Sequence, residues 1–107
     1  MAPLRSKQFY SGVISSSAWQ NVYTAPPGHV FVLKSVVAQN SNATTETLDV
    51  RIDGTTVMYY PLAAYPGAAA FINIPLWVVS AAGGTLDIAS NNGHAIAVHL
   101  SGSVLYV

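Results

Sequence analysis

The chain is interrupted at short intervals by turn-forming clusters: Pro26-Pro27-Gly28, Asp53-Gly54, Pro66-Gly67, Gly83-Gly84 and Asn91-Asn92-Gly93. Pro fixes one backbone angle and Gly opens the positive-φ region, so each cluster ends whatever element precedes it. No helix-period segment long enough to form a stable helix escapes Gly, Pro or a β-branched cluster, whereas alternating apolar runs recur throughout. The fold is therefore expected to be all-β.

The clearest strand runs from Leu48 to Asp53, with Leu48, Val50 and Ile52 on one face and Asp49, Arg51 and Asp53 on the other. Asp53-Gly54 supplies the two-residue hairpin turn that returns the chain through Thr55 to Tyr60. Trp19 to Thr24 reads as another strand. From His29 to Ala38 both alternation phases are largely apolar, which predicts a strand covered on both sides. Phe71 to Val79 contains Pro75, which lacks a ladder donor and so predicts an edge strand, a bulge or a break. Thr85 to Ala89 is short. The last segment places Ile96, Val98, Leu100, Val104 and Tyr106 on one face, with His99, Ser101 and Ser103 on the other. This spacing predicts about eight strands in a single antiparallel, jelly-roll-like β-sandwich. Residues 1–8 read as a short N-terminal arm and residues 9–107 as the sandwich domain, with no internal repeat.

At 107 residues the chain holds one core. Charge is scarce: four Lys and Arg, four Asp and Glu, 7% of the chain against a usual figure of about 25%. Its place is taken by 27 Ser, Thr, Asn and Gln residues. Disorder normally needs low hydrophobicity and high net charge, and neither is present. Duplex nucleic-acid binding needs clustered Lys and Arg, so no nucleic-acid partner is expected. Without cysteine there is no disulfide, thiolate metal site or Cys nucleophile. The longest apolar stretch, Ile74 to Ala82, is far below the ~20 residues of a membrane span, so no membrane insertion is expected.

The chemical inventory is thin. His29, His94 and His99 lack metal-ligand spacing and read as loop or exposed histidines, with no metal or cofactor expected. Asp49 and Asp53 flank Arg51 on one strand face, which predicts an ion pair among them or across to a neighbouring strand. No nucleophile elbow or phosphate loop is present, and no nucleophile, base and orienting group can be assembled, so no enzyme is expected. The Asn42-Ala43-Thr44 sequon reads as chance. Trp19, Tyr59, Tyr60, Tyr65 and Trp77 offer two readings: core or subunit contact, favoured by the usual role of Tyr and Trp at interfaces, or a sugar-stacking platform.

The segment Val22 to Asn40, VYTAPPGHVFVLKSVVAQN, resembles an opening found in small β-sandwich proteins of tailed bacteriophage virions, departing from it at Pro27. Leu76 to Leu86 and the final alternating strand continue the likeness. Arg5-Ser6-Lys7-Gln8-Phe9-Tyr10 is similar to the start of small minor tail proteins of actinobacterial phages. The resemblance implies a non-enzymatic virion structural protein, made in the host cytoplasm and placed either at the tail or on the capsid, with a tail position, for example at the tip, as the leading expectation. The alternative within that class is a capsid decoration protein on the head exterior. The scarcity of surface charge predicts contact with copies of itself, in a cyclic homo-oligomer such as a trimer, and with other virion proteins. Candidate subunit contacts are Arg5, Lys7, Phe9, Tyr10, Tyr60 and Tyr65. A further alternative is a carbohydrate-binding module for a host-surface glycan, with Tyr59, Tyr60 and Trp77 as candidate contacts.

Overall fold

A computed structural model describes residues 5–65 and 71–106, with the side chains of Arg5, Phe71, Ile72 and residues 74–77 outside the description. Eight strands follow one another without a helix among the described residues: β1 (Arg5–Ile14), β2 (Gln20–Thr24), β3 (His29–Asn40), β4 (Glu46–Ile52), β5 (Thr55–Leu62), β6 (Phe71–Val79), β7 (Thr85–Ser90) and β8 (Ile96–Tyr106). They form two four-stranded antiparallel sheets, ordered β1-β8-β3-β6 and β2-β7-β4-β5. Except for the β4–β5 hairpin, consecutive strands fall in opposite sheets, which is jelly-roll connectivity.

The alternation read from the sequence is the alternation observed. Leu48, Val50 and Ile52 of β4 meet Phe31, Leu33, Val36 and Ala38 of β3, Leu86 and Ile88 of β7, and Ile96, Val98 and Leu100 of β8 in one core. At about 25 cal/mol per Å² of apolar surface, each such buried aliphatic side chain contributes roughly 1.5–3 kcal/mol. The Asp53-Gly54 turn has φ of 53° and 80° at its two residues, the positive pair that a tight hairpin with native twist requires. β6, which carries Pro75, is an edge strand, where a missing ladder donor can face outward.

Residues 5–8, which the sequence reading assigns to an arm, are the first residues of β1 and pair with Ser101 to Val104 of β8. Phe9 forms a bulge in this strand, between Gln8 opposite Ser101 and Tyr10 opposite Leu100. The extra residue turns its ring inward, where it packs on Tyr23 and Phe31 at centroid distances of 4.8 and 5.3 Å. On the other side of β8, Lys34 occupies a second register shift, between Leu33 opposite Gly102 and Ser35 opposite Ser101. A Cβ on Gly102 would collide with the Val32 carbonyl and lie 3.0 Å from the Phe9 ring, so only glycine fits between the two shifts.

Candidate binding surfaces

Charge is sorted between the sheets. All four carboxylates, Glu46, Asp49, Asp53 and Asp87, lie on β4, the turn after it, or β7. Arg5, Lys7 and Lys34 lie on β1 and β3 of the opposite sheet. The β1-β8-β3-β6 sheet therefore contains no Asp or Glu, and its outer face is chiefly aliphatic and hydroxylic. By register it presents Val30, Val32 and Val37 of β3, Ala97 and Leu105 of β8, Val13 of β1 and Val79 of β6. Val13 and Val79 are 63% and 60% exposed. Val30, Val37 and Leu105 are half-buried. The second apolar phase of β3 is thus real but only partly covered by this chain: Val32 is buried, Val30 and Val37 half-buried.

Where the two register shifts flank β8, a shallow cleft of about 400 Å³ opens, lined by Ser6, Lys7, Gln8, Lys34, Ser101, Gly102 and Ser103. Its lining is polar, unlike that of an ordinary small-molecule pocket. The Lys7 ammonium lies 5.7 Å from the Tyr23 ring centroid, on the corner where β1 approaches β2.

The outer face of the β2-β7-β4-β5 sheet is different. Arg51 donates from Nε and Nη2 to Asp87 Oδ2 at 3.2 and 2.9 Å, while Asn21 Nδ2 donates to Asp87 Oδ1 at 3.0 Å. The guanidinium lies 4.3 Å from the Trp19 ring centroid. Of the two expected arrangements, the ion pair takes the cross-strand one: Arg51 faces Asp87 in register on β7. Asp53 is occupied elsewhere, accepting from the Ala81 and Thr85 backbone N–H groups at 2.7 and 3.0 Å. Trp19 is a partly exposed lid on Arg51, outside the core.

Asp49 occupies the middle of this face, in register with Tyr59 on β5 and Ala89 on β7. It is only 9% exposed, and its Oδ1 has no hydrogen-bond partner among the described residues. Oδ2 is 3.5 Å from Asn91 Nδ2, the outer limit of a hydrogen bond. Burial pushes its carboxyl above the ordinary value, and the Asn91 amide offsets only part of that.

A third polar cluster closes one end of the sandwich. Glu46 Oε2 accepts from the Thr44 hydroxyl at 2.6 Å and from His94 Nδ1 at 2.8 Å. Burial raises the Glu46 carboxyl, but these two donors and the charge of His94 outweigh it and hold the group below its ordinary value. Asn40, fully buried, donates to the Thr44, Leu62 and Ala63 carbonyls and accepts from the Asn42 backbone and side-chain amides. Asn42, the sequon asparagine, also donates to the Ala95 carbonyl at 2.6 Å. These contacts tie the loop after β3 to the loop before β8, a fastening role rather than a chemical one.

The sequence candidates are dispersed by the fold. Phe9 is in the core at 6% exposure. Tyr10 and Tyr60 are partly buried against the core. Tyr59 and Tyr65 are exposed, at 62% and 54%. The side chains of Arg5 and Trp77 lie outside the described residues, as do residues 66–70 after Tyr65. The three histidines do not converge: His29 stacks edge-on against Tyr106, His94 binds Glu46, and His99 bonds Ser11. No group of three or more metal-ligating side chains gathers among the described residues. Asp49 and the His94–Glu46 pair are the polar features that spacing alone misses, because their partners arrive from loops and strands about 40 or more residues away.

No family model matches the chain, and no curated protein matches it in sequence. Among solved structures, it is similar to a chain of the T=1 particles derived from infectious bursal virus, with TM-score 0.54 and 16% identity over 95% of this chain. The present chain spans only 31% of that viral chain's length. It is also similar to the Drosophila NLP core, a structure described for pentamer formation and histone binding, with TM-score 0.52 and 14% identity over 92% of this chain and 99% of the other. A pentameric capsid protein from metagenomic phage sequences, at TM-score 0.39 and 18% identity over 90% of this chain and 62% of the other, is too distant to bear on the fold. At these identities the likeness establishes a shared β-sandwich architecture, one that a viral particle subunit also uses.

Proposed function

We propose that this chain is a non-enzymatic structural component of a bacteriophage virion, assembled in several copies and associated with the tail. The observation that carries the reading is the outer face of the β1-β8-β3-β6 sheet. Val30, Leu105 and Val79 lie near one another at one end of this face, with Val37 and Val13 further along it among Ser, Gln, Asn and His residues, on four strands that hold no carboxylate. A small monomer gains nothing from such a face in water, whereas a copy or a neighbouring virion protein laid against it removes that surface from solvent. Cyclic closure is the usual arrangement for such contacts. Of the sequence candidates, Lys7 on β1 and Tyr65 after β5 are exposed. The likeness of Arg5 to Tyr10 to the start of small minor tail proteins favours the tail over the capsid.

The test is sedimentation of the intact chain beside Val37→Lys, with the fold checked by circular dichroism. The wild type sediments as a discrete oligomer and the variant as a folded monomer. A wild type that stays monomeric at micromolar concentration overturns self-assembly. Separating heads from tails in disrupted virions decides position: recovery with heads overturns the tail and leaves capsid decoration.

A further inference from the structure

We propose that the cleft where the two register shifts flank β8 binds a small oxyanion of the phosphate class, held by the Lys34 ammonium and the hydroxyls of Ser6, Ser101 and Ser103. This goes beyond the structural role, because the recess is built by one chain and needs no second copy.

The argument starts from Ser103. Leu100 lies in the core and Val104 packs against it, so Ser101 and Ser103 between them point out of the sheet. An outward side chain on a flat sheet is open to water, yet Ser103 is only 2% exposed. It lies in register between Ser6 of β1 and Val32 of β3, and lines the cleft. Both register shifts fall beside it, at Phe9 and at Lys34, where an extra residue on each neighbouring strand bends that strand out of an even ladder. No described residue bonds the Ser103 hydroxyl. Unlike the sealed Glu46 Oε1 and Asp49 Oδ1, this oxygen keeps an opening, and that opening is the cleft. A hydroxyl held in a recess without a partner in its own chain is left for one from outside.

The lining selects the kind of ligand. Ser6 stands opposite Ser103 and Gln8 opposite Ser101, so three hydroxyls and an amide face the same recess, and Lys34 adds an ammonium. Every one of these groups can donate. No strand of this sheet carries Asp or Glu, so no carboxylate of the sheet repels an anion, and Lys7 beside Tyr23 adds positive charge to the same region. The ammonium disfavours a cation, and the lining holds no aromatic ring for a sugar to stack on. Lys binds phosphate as a point charge, and hydroxyls arriving from two strands suit the several oxygens of a tetrahedral anion better than a planar carboxylate. The volume of about 400 Å³ leaves room for the organic part of a phosphate ester.

Equilibrium dialysis of the intact protein against radiolabelled inorganic phosphate, at constant ionic strength in chloride, tests the site. Saturable binding is expected, and Lys34→Gln and Ser103→Ala should each weaken it by roughly fivefold or more, with the fold checked by circular dichroism. If Ser103→Ala does not fold, Lys34→Gln alone decides. Glycerol 3-phosphate as competitor separates the sources: displacement at lower concentration than unlabelled phosphate marks an organic phosphate, equal displacement marks the free anion, and both support the site. No saturable binding overturns the proposal, as does binding that survives every folded variant. Sedimentation of the same samples reads assembly separately, so self-association can fail while the anion site holds.

Discussion

Glu46, fully buried at the start of β4, accepts a 2.8 Å hydrogen bond from Nδ1 of His94, a residue 48 positions later whose side chain is 57% exposed. One end of the sandwich is thus latched by a carboxylate inside and an imidazole at the rim. Because the folded carboxyl lies below its ordinary value near 4.5, the native state binds this proton less readily than the unfolded chain does. The latch therefore stabilises fully above about 4.5, and its contribution is lost as pH falls through the lower folded value. Glu46→Gln is expected to cost about 1–3 kcal/mol at pH 7, from the loss of charge-assisted bonds. Thermal melts across pH should show the gap between variant and wild type closing on acidification.

Asp49 has the opposite sign. Burial raises its carboxyl, so the native state holds the proton more tightly than the unfolded chain. Ionisation then lowers stability as pH rises from the ordinary value of 3.8 through the raised folded value. Asp49→Asn should stabilise the protein at pH 7 by about 1 kcal/mol, and the gain should vanish in acid. Chemical denaturation at the two pH values measures both.

Arg51 and Asp87 are coupled across β4 and β7 with side-chain exposures of 28% and 12%. Arg51→Ala, Asp87→Ala and the double variant form a cycle whose interaction energy should be about 0.5–1 kcal/mol in urea denaturation. The Arg51 variant should also shift Trp19 emission, since the guanidinium covers its ring.

Gly102 is where a methyl group has no room. Gly102→Ala would drive a Cβ into the Val32 carbonyl, backbone that cannot move aside without unpairing β3 from β8. The expected loss is about 2–4 kcal/mol. Gly54→Ala is the control: φ is 80° and nothing lies within 4 Å, so only the positive-φ penalty of about 1–2 kcal/mol applies. Equal losses in the two variants would show that the close approach at Gly102 is not what limits that position.

Strand identity, the Asp53-Gly54 hairpin and the apolar character of both phases of β3 were legible in sequence, whereas Pro75 left an edge, a bulge or a break open and the fold places its strand at an edge and covers the second phase of β3 only in part. Each depends on neighbours within a few residues: alternation, a ring-closed φ, a missing N–H. What the fold alone decided is which distant groups meet. Arg51 pairs with Asp87 rather than with its strand neighbours because antiparallel register sets the two side by side. Phe9 enters the core rather than a subunit contact because a bulge shifts its phase, and alternation counted along a strand cannot anticipate an extra residue. Asp49 is buried without a full set of donors because residues from β5 and the loop after β7 surround it, a fact of three-dimensional packing that one-dimensional spacing does not encode.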